Sequence, residues 1–341
     1  MSNASIEPAQ AVHATRIGLG VALGLIASLT FATSGTFARP LLSAGWTPGA
    51  AVFWRVALAA VLLLPVGLWV MRGRLREVVA EWRTIVAFGA LAVATAQLMY
   101  FAAVSRMSVS VALLIEYLAP VALVLLAWVR SRHAPSRLVI AGTLTSLAGL
   151  VLVLDLTGAS VDPLGVLFGL LAMVGAAAYF LLGARPTRLH ALALPAFGLP
   201  VGAVVLGLAV LLGALPYSAP LVDVQLMGAA VPWWVPLSVV VVAATVLAYA
   251  FGVAGIALMG ERLASFVSLS EVLFAALIAA IVLGEVPAPI QLLGGLLIVA
   301  GVVLVRISSG RAPAGLPTLP DELEAAGATP PTAGPGSTDR H

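Results

Sequence analysis

Apolar residues in this chain fall into long uninterrupted blocks, with polar residues gathered between them, and neither a strand period nor a one-faced helix period runs along the blocks. Ten such blocks occur, each close to the ~20 residues a helix needs to cross a hydrocarbon core about 30 Å thick. They predict membrane-spanning helices over 17–38, 47–70, 84–105, 107–129, 137–154, 163–183, 193–215, 234–257, 262–284 and 288–307. Residues 1–15 are polar and read as a tail. From 308 to 341 the chain is rich in Pro, Gly and Ala, cannot bury a core, and reads as a disordered tail.

The fourth block, SVSVALLIEYLAPVALVLLAWVR, breaks the pattern from inside. Glu116 falls near mid-membrane, where an acidic side chain costs about 2.5 kcal/mol or more on insertion scales. Four residues later Pro120 has no N–H to return to the Glu116 carbonyl, so the backbone there is also short of a partner. Sliding the sequence by 155 residues lays this block on LASFVSLSEVLFAALIAAIVLGE and places Glu116 on Glu271. Further matches accompany it. Gly20 and Gly24 correspond to Gly165 and Gly169, Ala38-Arg39-Pro40 to Ala184-Arg185-Pro186, and the Ala148-Gly149 stretch to Ala300-Gly301, with Gly142 and Gly294 each seven residues earlier. Five helices, 17–155, are thus repeated as five, 162–307. An odd number of spans makes the second unit enter from the opposite side, so the fold class is an all-α integral membrane protein of two inverted five-helix repeats. Such folds hold substrate near the midplane and work by alternating access.

Composition agrees with that class. The chain is 62% apolar and 9% charged, against about 25% charged in a soluble domain. Its net charge of +3 rests on arginine alone, spread over short loops, which speaks against a nucleic-acid partner. The first apolar run is far longer than a signal-peptide core and reads as a retained helix. There is no cysteine, the four histidines (His13, His133, His190, His341) lie in tails or loops, and no phosphate-binding glycine loop occurs. We therefore expect no metal, no cofactor and no enzyme activity. With the N-terminus inside, Arg16, Arg72, Arg74, Arg76, Arg83, Arg130, Arg132, Arg137, Arg185, Arg188, Arg262 and Arg306 fall on the inner face and only Arg39 and Arg106 outside. Positive loops stay in the cytoplasm, so both termini are expected there, with the protein in the cytoplasmic membrane.

The ten-helix plan, the paired five-helix units, FWRVALAAVLLLP at 53–65, LLIEYLAPVALVLLAW, and the closing SFVSLSEVLFAALIAAIVLGE resemble EamA-type members of the drug/metabolite transporter superfamily. That resemblance implies a secondary carrier for a small-molecule substrate. The Glu-x-x-x-Pro element looks most like the amino-acid exporters, with drug efflux, and further off a passive channel or lipid translocator, as alternatives.

Arg55 and Glu116 lie at similar depth in helices running the same way. Their pairing reads either as a substrate-exchangeable ion pair or as a structural one. Glu271 has no evident arginine partner and reads as a proton-coupling acid or as a neutral hydrogen-bonding one. Gln97 and Tyr100 share a helix face. They head a second tier of Thr33, Ser34, Tyr117, Tyr179, Ser268 and Ser270, whose structural alternative is bonding to neighbouring helices. Trp54 joins the candidate set because the other tryptophans sit at span ends, where an aromatic belt belongs. Glu285 reads as a helix-terminal residue. The glycine pairs read as packing sites, within a monomer or between the subunits of a homodimer, and the basic stretch 72–83 as a contact for membrane lipid.

Overall fold

The computed structural model describes residues 6–107, 109–154, 161–284 and 288–311. Glu285 and the stretch from 312 lie outside the described residues. Among the described residues ten helices are long and apolar enough to span a membrane: Thr15–Ser43, Pro48–Val70, Trp82–Val104, Val111–Ser131, Arg137–Leu154, Pro163–Gly183, Ala193–Leu211, Trp234–Met259, Glu261–Val282 and Pro289–Ser308. They are called spans 1 to 10 below.

Local chemistry sets several starts. Thr47 caps span 2, its Oγ1 accepting from the Ala50 N–H at 3.3 Å, with Pro48 following. Asp162 caps span 6, accepting from the Gly165 N–H at 2.8 Å, with Pro163 next. In both cases a side-chain oxygen meets an N–H the helix cannot satisfy, and proline occupies a place where no donor is needed.

The structure departs from the expected elements in four places. The first helix begins at Ile6, so part of the stretch read as a tail is helical, and it runs through Pro40 to Ser43. Span 4 is two pieces, Val109–Glu116 and Ala119–Ser131, and span 9 is likewise divided into Glu261–Ser268 and Ser270–Leu283. Spans 3 and 8 each contain a π-helical segment, Phe88–Thr95 and Val242–Leu247. The chain is also not wholly helical. Strands β1 (Val224–Leu226) and β2 (Ala229–Val231) form an antiparallel hairpin turned by Met227 and Gly228, whose φ values of 52° and 78° give the left-handed pair that matches strand twist. The connection around it ties back to the joint of spans 1 and 2, where Trp46 Nε1 donates to the Pro220 carbonyl and Thr47 Oγ1 to that of Pro216, both at 2.8 Å.

Glycines let the helix backbones meet. Gly20 and Gly24 face Leu258, Met259 and Gly255 of span 8, while Gly165 and Gly169 face Met107, just past span 3, and Ile115 of span 4. The same contact, a methionine seated on a glycine pair, therefore recurs at opposite ends of the bundle, as two inverted repeats require. Spans 5 and 10 cross where Gly142 meets Gly301 and Gly149 meets Gly294, with backbone against backbone. These glycine pairs pack within the protomer.

Candidate functional site

Span 2 starts at its Thr47 cap and presents the buried Arg55 two turns along. Arg55 Nη1 donates to Ser34 Oγ of span 1 at 2.9 Å, and its Nε has no partner among the described residues. Across from it, Glu116 closes the first half of span 4. There Leu118 N–H turns back to Ile115 at 3.1 Å, and Pro120, at the start of the second half, offers nothing to the Glu116 carbonyl. In span 9, Ser265, Ser268 and Ser270 each donate their hydroxyl to the carbonyl three residues back, at 2.8, 2.8 and 2.7 Å. Such back-bonding competes with helix continuation and loosens the turn at Leu269, one residue before the half-helix that carries Glu271 in its first turn.

These groups converge on a cavity of about 600 Å³ whose wall includes Ser34, Arg55, Gln97, Tyr100, Glu116, Tyr117, Tyr179, Ser268 and Glu271. Towards the end where spans 1 and 2 join, its lining residues Gly35, Leu42 and Pro48 are exposed. At the other end Gly24, Ala119, Pro120, Phe180, Ile256 and Ala264 are buried and form an apolar floor. The cavity thus has a mouth at the first end and a closed floor at the second.

Within it the charges are arranged differently from the expected pair. Arg55 makes no ion pair with Glu116; its short contact is the neutral Ser34. Both carboxylates line the same cavity as the guanidinium. Glu271, for which the sequence offered no partner, thus stands with Arg55, Glu116 and Tyr117 around one cavity. Equal depth along two helices fixes height but not azimuth, so depth alone left open whether Arg55 and Glu116 touch.

Nine of the twelve candidates line one cavity, and Thr33, Trp54 and Ser270 do not. Trp54 turns to the loop beyond span 7 and donates its Nε1 to Tyr217 at 3.0 Å, while the Ser270 hydroxyl is committed to the Val267 carbonyl. Thr33 likewise bonds its own helix, at the Thr30 carbonyl, 2.7 Å away. Tyr249 and Phe31 are among the lining residues that went unnoticed in the sequence. Tyr249 packs its ring against Phe31, Tyr179 and Phe88 with centroids 5.3, 5.7 and 6.2 Å apart, and both Tyr249 and Phe31 face the cavity. A tyrosine inside an apolar span was signal enough for Tyr249; Phe31 carried none. Among the described residues no group of three His, Cys, Asp or Glu could hold a metal ion.

The sequence model of the EamA-like transporter family matches residues 18–155 and again residues 163–307. The chain belongs to the EamA-like transporter family. It is accordingly a multi-pass membrane transporter of the drug/metabolite transporter superfamily, with one family unit in each repeat and the cavity between them. A solved structure described only as "Crystal structure of protein" is similar over 86% of this chain and 98% of its own, with a TM-score of 0.69 at 20% identity, a likeness of fold. No curated relative matches the sequence.

Proposed function

We propose that this EamA-like transporter exports small zwitterionic metabolites, amino acids or their analogues, across the cytoplasmic membrane by alternating access. The observation that carries this reading is Arg55: a buried guanidinium on the wall of a 600 Å³ cavity, bonded to a neutral hydroxyl, with two carboxylates across the space. A guanidinium suits a carboxylate ligand, and Glu116 and Glu271 suit an ammonium group, so a zwitterion satisfies both walls at once. Gln97, Tyr100, Tyr117 and Ser268 supply neutral polar partners, and Phe31 and Tyr249 an apolar wall for the side chain. Two acids sharing one cation also leave a place for a proton when the cavity is empty, which makes Glu116 and Glu271 the groups through which export is coupled to a proton gradient. The arginine-rich loops support an orientation with the floor end and both termini in the cytoplasm and the mouth outside. The aromatic wall supports a second reading, efflux of lipophilic cationic drugs, in which the acids bind the cation and Arg55 has no ligand.

Counterflow in proteoliposomes preloaded with single amino acids tests this. Saturable exchange of at least one amino acid is expected, lost in Arg55→Met, Glu116→Gln and Glu271→Gln. Exchange of cationic drugs without any amino acid, or amino-acid exchange untouched by Arg55→Met, would overturn the reading.

A further inference from the structure

The π-helical segments of spans 3 and 8 occupy corresponding places in the two repeats and are built in the same way. Thr95 Oγ1 donates to the Ala90 carbonyl at 2.8 Å, and Thr245 Oγ1 to the Val240 carbonyl at 2.9 Å, in both cases five residues back. An α-helical threonine reaches back three or four residues; a reach of five needs the wider π turn, so each hydroxyl braces the irregular segment it stands in. Thr245 is fully buried, which leaves its hydroxyl no water to bond instead.

Beyond each segment lies an arm that carries cavity wall. Ala96–Val104 brings Gln97, Tyr100, Phe101 and Val104 to the mouth side. Ala248–Met259 brings Tyr249, Gly252, Ile256 and Met259 to the floor side. Sharp bends in long helices are made at such segments, and a wider turn changes the direction in which every later side chain points. Around the segments the packing is also repeated: the first lies against span 7 at Gly198 and Gly202 and against span 6, where Gly175 meets Ala96 at the root of the arm, and the second lies against spans 1 and 2.

The two arms stand in different states here, one at the open end and one at the closed end, yet both segments are π. A switch would differ between them; a pivot would not. We infer that the two π segments are the pivots about which these arms swing in alternating access, and that Thr95 and Thr245 are positioning residues that hold the pivots and aim the arms. The inference rests on alternating access but not on the identity of the cargo.

The chain has no cysteine, so nitroxide pairs can be placed without removing any native thiol. Ser43→Cys with Ser105→Cys reports across the mouth, and Ala257→Cys with Arg185→Cys across the floor; all four sites are exposed. In lipid nanodiscs the unsubstituted background should show two distances at each pair, the minor floor-open form matching the minor mouth-closed form. Thr95→Val and Thr245→Val, each added to both pairs, leave the arm beyond the pivot unaimed and should broaden the distances of both forms, while the ratio of the forms, in each of which the brace is made, changes little. Thr95→Ser and Thr245→Ser keep the hydroxyl and should restore both distributions. The inference is overturned if the valine variants leave the distributions unchanged, if serine behaves as valine does, or if the floor pair holds one distance in the background protein. None of these readouts requires a substrate, so failure of the zwitterion reading would leave them standing.

Discussion

Spans 4 and 9 are both broken beside a glutamate, but by different means. In span 4 a proline withholds a donor from the Glu116 carbonyl, and in span 9 three serine hydroxyls occupy carbonyls ahead of Glu271. Spans 3 and 8, in contrast, share both the π segment and its threonine brace. Span 2 carries Arg55, while span 7, ALPAFGLPVGAVVLGLAVL, has no ionisable residue at all. What the two repeats hold in common is mechanical, and what they do not share is the cation that gives the cavity its chemistry. Divergence has been tolerated in how a helix is broken, because any loosened turn at that depth exposes backbone and carboxylate to the cavity.

The comparison breaks most sharply at the crossing of spans 5 and 10, which both repeats build with equal parts. A Cβ on Gly149 would strike the Gly294 carbonyl and one on Gly294 would strike the Gly149 carbonyl, so neither side can yield by a side-chain rotation. Gly149→Leu and Gly294→Leu should each abolish a monodisperse peak in size-exclusion chromatography, overpacking of this kind costing about 1–3 kcal/mol or more. Gly18→Leu, where a Cβ meets nothing within 4 Å, should leave the peak intact. If Gly149→Leu were tolerated and Gly294→Leu not, the crossing would not be a symmetric one.

A smaller effect should separate the two broken spans. Pro120→Ala returns an N–H to the Glu116 carbonyl, so it is expected to raise the melting temperature by a few degrees and slow counterflow several-fold. Replacing Ser265, Ser268 and Ser270 together with alanine should act in the same direction but less, since back-bonded hydroxyls only slightly destabilise a helix whereas proline removes a donor outright. A drop in melting temperature for Pro120→Ala would mean that the break is held by packing instead of by the missing donor.

How much of this was legible depended on whether a feature has a one-dimensional trace. Spans announce themselves by length and hydropathy, and the repeat by Glu116, Glu271 and the glycines, so the architecture and nine of the cavity's residues could be read from the sequence. The π segments could not, because one residue more in a turn leaves no mark on a run such as FGALAVAT. Arg55 was found but its partner was not: helix depth follows from counting, whereas the choice among Ser34, Glu116 and Glu271 depends on rotation about three helix axes. Trp54 was misjudged for a related reason. It lies two turns below the membrane edge, yet Tyr217 on the following connection reaches down to meet it.

The smallest expected effect lies on the bundle's exposed rim, where Arg74 and Glu77 form a bidentate pair at 3.0 and 2.7 Å, with Arg74 also donating to the Arg188 carbonyl at 2.9 Å. Arg55 and this pair are opposite cases: one charge is buried without a salt-bridge partner, the other two are paired and in water. The hydrogen bonds from Arg74 hold the Glu77 carboxyl below its ordinary range. A carboxyl lowered on folding adds stability above its unfolded pKa, and the gain fades as pH falls through the lowered value, so any contribution should be present at neutral pH and disappear in acid. Because exposed pairs are screened and pay side-chain entropy, Glu77→Gln should leave the melting temperature at neutral pH unresolved from that of the wild type. Should it fall clearly, with the difference vanishing in acid and in high salt, the pair would be fastening the connection after span 2 to the one after span 6, and the rim would belong to the moving parts and not merely to the surface.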